Sequence, residues 1–130
     1  MPPMIMDTSV DAKAEIMENM GNLEEIEVFN NQVLIAIYIR PTKTKSGIIL
    51  TDRTVDEDRW QGKVGLVVKI GASAFEDSTG QWFNGVKINV GDWVVFRPSD
   101  GWHCAVNGNL CRLLDDVNIR ARIQHPDQVW

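Results

Sequence analysis

The chain has 130 residues, enough for one domain with a substantial core. It is 44% hydrophobic and 24% charged, as soluble globular proteins are. Its net charge of −5 works against tracking along nucleic-acid phosphates, and no run nears the ~18 apolar residues of a membrane span.

Residues 1–24 form an extension of distinct character. They show neither a signal-peptide nor a transit-peptide pattern, so a cytoplasmic protein is expected. Thr8 and Asp11 have the form of a capping box, Val10, Ala14 and Met17 share a helical face, and Gly21 suits the helix end. The apolar stripe is narrow, so this helix is expected to dock on something larger. From residue 25 the pattern is β. In 33–39, Val33, Ile35, Ile37 and Ile39 alternate with Leu34, Ala36 and Tyr38, a strand apolar on both faces. A polar segment follows, and then a second strand over 64–70, closed by Gly71. Residues 72–85 are turn-rich, carry Phe75, Trp82 and Phe83, and end in the hairpin signal Asn84-Gly85. Short strands are predicted over 86–90 and 93–96, divided by a turn at Gly91-Asp92. Residues 102–106 and 109–114 form a hairpin around Asn107-Gly108. After a turn at 115–118, Ile119, Ala121 and Ile123 alternate with Arg120 and Arg122, and 124–130 is a polar tail ending in Trp130. Short, evenly spaced strands with glycine-marked turns predict a small antiparallel barrel or sandwich.

The segment 41–62 between the first two strands exceeds the ~12–15 residues at which a structureless loop becomes unusual. It holds one apolar patch, Ile48-Ile49-Leu50, preceded by Gly47. An apolar triplet is ordinarily a short strand buried in the chain's own sheet. Here Lys43, Lys45, Asp52, Arg53, Asp56, Glu57 and Asp58 crowd it, and it lacks the alternation or length of a strand. An exposed recognition element is the better reading.

Little else suggests chemistry. An Asn107-Gly108 turn sets Cys104 opposite Cys111, and both are expected as free thiols in a cytosolic chain. His103, Cys104, Cys111 and His125 lack the paired spacing of zinc sites. His103 and Cys104 have no orienting partner for nucleophilic catalysis. Asp115-Asp116 and 56–58 read as solvated charges rather than an acid–base pair. No phosphate-binding glycine loop is present. The expectation is a non-enzyme without cofactor or metal.

Several blocks in order resemble the GroES-type co-chaperonins, the chaperonin-10 family. They are 44–50 (Thr-Lys-Ser-Gly-Ile-Ile-Leu), 61–71 (Gln-Gly-Lys-Val-Gly-Leu-Val-Val-Lys-Ile-Gly), 90–96 (Val-Gly-Asp-Trp-Val-Val-Phe), and 106–114 with 119–123. The resemblance implies an all-β fold, a GroES-like distorted antiparallel β-barrel over 25–123, here with a short N-terminal helical extension (1–24) and a tail (124–130). It implies a homo-oligomer, a seven-membered ring joined partly by pairing of the first and last strands of neighbours, and a GroEL-type chaperonin as partner. By position, Ile48, Ile49 and Leu50 are the chaperonin-binding tripeptide of a mobile loop over 41–62, and Gly47 is its hinge. Residues from about 72 to 86, with Trp82 and Phe83, match the roof hairpin.

The extensions depart from the family, and one glycine precedes the triplet where two are common. These departures suggest a specialised, bacteriophage-encoded version. It would act as a lid assisting folding, including that of capsid protein, in the host cytoplasm. The alternative is a virion subunit that decorates or stabilises a phage capsid. An interface with a sister subunit or capsid is expected to use Met17, Met20 and Trp130 from the extensions, and Val33, Ile35, Ile119 and Ile123 from the first and last strands.

Overall fold

The computed structural model describes residues 12–38, 63–76, 83 and 86–126. Six strands form one antiparallel sheet: β1 (Gln32–Ile37), β2 (Val64–Ile70), β3 (Trp93–Val95), β4 (Trp102–Val106), β5 (Asn109–Asp115) and β6 (Ala121–Ile123). Their spatial order is β4-β5-β1-β2-β3-β6, which agrees with the barrel-type fold that the resemblance implies.

The double alternation in β1 sets the architecture. Val33, Ile35 and Ile37 enter one core with Val67, Val94, Phe96 and Leu114. Leu34, Ala36 and Tyr38 enter a second core on the opposite face, with Leu66, Trp93 and Cys111. A strand covered on both faces must be central, and β1 is hydrogen-bonded to β2 on one side and β5 on the other. This corrects one expectation. Val33 and Ile35 are fully buried in the chain's own core, so their side chains have no surface left for a neighbour. Among the described residues the sheet edges are β4 and β6.

The predicted strand over 86–90 is absent: the segment gives Ile88 to the first core without joining the ladder. Its continuation turns at Gly91 (φ 95°), where the Gly91 N–H donates to the Val67 carbonyl at 2.8 Å. The β4–β5 turn follows expectation, with Asn107 (φ 51°) and Gly108 (φ 81°) both left-handed, as a two-residue hairpin requires.

The extension supplies α1 (Ala12–Met20), ended by Gly21 at φ 69°. Its buried face is Ala12, Ile16, Met17 and Met20, whereas Ala14, expected on that face, is exposed. The helix packs over the chain's own second core. One register row crosses all six strands on that face: Cys104, Cys111, Ala36, Leu66, Trp93 and Ile123. The first turn of α1 lies beside Gly91, where Lys13 approaches. Its last turn is hooked by the β4–β5 turn: Asn107 Nδ2 donates to the Met20 carbonyl at 2.6 Å and Asn109 Nδ2 to the Asn19 carbonyl at 2.9 Å. These amides satisfy carbonyls that a helix end leaves open. Met20 is fully buried in the chain's own second core, where packing against another chain was expected. Met20→Ala is expected to cost about 2–5 kcal/mol in urea unfolding, the range for truncating a buried large apolar side chain. Changing exposed Ala14 to Ser should stay within about 0.5 kcal/mol.

Candidate functional site

The segment 39–62 starts and ends on neighbouring strands. The Tyr38 N–H donates to the Val64 carbonyl at 3.0 Å, and the Phe96 N–H to the Lys63 carbonyl at 2.9 Å. Tyr38 and Trp93 meet edge to face with ring centroids 5.5 Å apart, which stiffens this root. Gly65 pairs with Ile37 at the same place, and a Cβ there would run into the Ile35 side chain and the Ala36 carbonyl. Glycine lets β1 and β2 approach closely enough to hold both ends of the segment together. Gly47, Ile48, Ile49 and Leu50 lie outside the described residues, as do Trp82 and Trp130.

Phe83, from the roof-hairpin reading, packs on the first core and meets Phe75 edge to face at 5.5 Å. Phe75 itself has φ 62°, an unusual conformation for a bulky residue. Asp116 secures it: Oδ2 accepts the Phe75 N–H at 2.9 Å, and Oδ1 accepts from Asn31 Nδ2 at 3.4 Å. Asp116 is only 5% exposed, so its reading as a solvated turn charge is wrong. Nothing in an Asp-Asp turn distinguishes the carboxylate that faces inward. Asp116→Ala should cost about 2–3 kcal/mol in chemical denaturation, because a buried N–H loses a charged acceptor.

The third feature is the free edge of β6, paired only with β3 among the described residues. Beside it lies a groove of about 300 Å³ lined by Phe75, Phe83, Val86, Ile88, Ile119 and Arg120. Ile119 is half-buried against the first core and Ile123 against the second, and Arg122 bridges to Asp92 at 3.5 Å. At the start of the sheet, Ile26 and Val28 pack on the second core while Glu25, Glu27 and Phe29 face out, Phe29 being 65% exposed.

The metal reading finds no geometry. Among the described residues no group of three or more His, Cys, Asp or Glu could hold an ion. His103 stands opposite Arg112, and burial together with that guanidinium holds its pKa below the usual histidine value. No helix among the described residues is long and apolar enough to cross a membrane.

Residues 25–123 match the family described as Chaperonin 10 Kd subunit. The chain belongs to that family. Membership makes the chaperonin-10 resemblance a finding, and with it a co-chaperonin role in general terms, in a family that is not one of enzymes. The match begins after α1 and ends with β6, so the helix over the second core lies outside the matched residues. Comparison with curated proteins gives no match.

Proposed function

We propose that this chaperonin-10 protein is a ring-forming lid that grips a GroEL-type chaperonin through Ile48, Ile49 and Leu50, with Gly47 as the joint. The observation that carries the reading is the family match across both strands that root the segment 39–62. Three aliphatic side chains gain very roughly 5–8 kcal/mol on full burial, against about 1–2 kcal/mol for each backbone residue ordered. A single hook is therefore weak. A seven-membered ring presents several at high effective concentration and still releases.

The ring in this reading closes at β6. Its edge, unpaired among the described residues and carrying Arg120 and Arg122, faces a neighbour's 25–29, whose Glu25 and Glu27 complement the arginines and whose Phe29 fills the adjoining groove. This replaces β1 as the pairing strand and keeps Ile119 and Ile123 at the seam. Phe29→Glu is expected to convert rings to monomers in sedimentation velocity, with the far-ultraviolet circular dichroism unchanged. Capture of the chain by an immobilised GroEL-type chaperonin tests the proposal as a whole; a folded ring that is not captured would refute it.

A further inference from the structure

We propose that Cys104 and Cys111 are a redox pair: a small-molecule disulfide closes them into a cross-strand disulfide, and closing releases the last turn of α1. The two residues are direct register partners near the end of the β4–β5 hairpin, so their side chains leave the sheet on the same face. Directly opposed antiparallel residues have Cα atoms about 4.5–5.5 Å apart, within the span that a disulfide bridges. The tight Asn107-Gly108 turn fixes that register. Both are free thiols, one half-exposed on an edge strand and one buried. An incoming disulfide therefore meets Cys104 first.

The chemistry balances. The Cys104 thiolate attacks the small disulfide, forming a mixed disulfide and expelling one thiolate. The Cys111 thiolate then displaces the second, so two protein thiols lose two electrons and two protons, and the reagent becomes two thiols. Burial pushes both protein thiols up, Cys111 to about 12, which keeps the thiolate fraction low at neutral pH and makes closure faster at alkaline pH.

Closure has a structural consequence because Cys111 is part of the helix seat. Its Sγ lies 3.9 Å from Met20 Sδ, and the Met20 carbonyl is held by Asn107, in the turn of the same hairpin. Turning Sγ toward Cys104 removes the thiol from Met20 and loosens that end of α1. The helix lies outside the family match, so a pair within the matched residues acts on an element beyond them.

The test uses the full chain treated with oxidised glutathione, then alkylated, with intact mass and hydrogen exchange as readouts. The expected product is a monomeric polypeptide lighter by two hydrogens, without adduct or alkylation, whose α1 amides near Met20 exchange faster than in the reduced protein. Cys111→Ser should stop at one glutathione adduct on Cys104. Wild-type chain that also stops at the mixed disulfide, or that bridges between chains, would overturn the redox pair. Unchanged exchange of α1 in the closed form would overturn the coupling.

Discussion

Ile49→Asp is expected to abolish capture by a GroEL-type chaperonin while leaving the unfolding midpoint unchanged. The substitution removes an aliphatic side chain worth about 1.5–3 kcal/mol on burial and asks a carboxylate to enter an apolar groove. Even a loss of about 4 kcal/mol per hook is on the order of a thousandfold in affinity, and every subunit of a ring carries it. The stability readout matters as much as the binding one. A surface change stays within about 0.5 kcal/mol, whereas an aspartate forced into the chain's own sheet would cost several times that. Loss of capture with intact stability supports the hook. Capture that survives removes it, and a collapsed fold means that 48–50 is a buried strand.

The parts of this fold that were legible in the sequence are those fixed by local pattern. Alternation located β1 and β2, and the double alternation in β1 marked a strand covered on both faces, which is where the sheet places it. Asn107-Gly108 specified the hairpin turn and hence the opposition of Cys104 and Cys111. What local pattern does not carry is which strand lies at an edge. That depends on pairings such as Leu34 with Leu113, far apart in sequence, so β1 was placed at a seam it cannot reach. Residues 86–90 have the composition of a strand, but only Ile88 finds a place, in the first core. Asp116 looked solvated because its partners, Asn31 and the Phe75 N–H, come from elsewhere in the chain. Met17 and Met20 were rightly read as apolar residues needing a surface; the surface is this chain's own.

Arg112→Met is expected to lower stability by about 3–5 kcal/mol, the range for stripping one partner from a buried charged cluster. On β5, Arg112 shares a face with Leu110 and Leu114, both of which serve the first core, and it is fully buried. Its guanidinium is placed 5.3 Å over the Phe96 ring. Nη1 reaches the carbonyls of Pro98 at 2.6 Å, and of Arg97 and Asp100 at 3.2 Å each. The chain between β3 and β4 is thus wrapped around one side chain, and Arg97 closes it outside with a 3.3 Å ion pair to Asp100. Burial pulls the Arg112 pKa down, with Asp100 opposing, yet an arginine stays charged at neutral pH. Methionine keeps an apolar stem over Phe96 but leaves those carbonyls without a donor, each costing about 1–3 kcal/mol if no water replaces it. Lysine carries donors on a compact head without the planar fork, so Arg112→Lys should recover only part of the loss. Urea unfolding of the three chains measures the order, wild type above lysine above methionine. Hydrogen exchange should place the loosening at 97–101 and β4, away from the root of 39–62, so the methionine chain should still be captured by the chaperonin when kept folded at low temperature. A methionine chain as stable as wild type would mean that the loop holds its shape without the guanidinium.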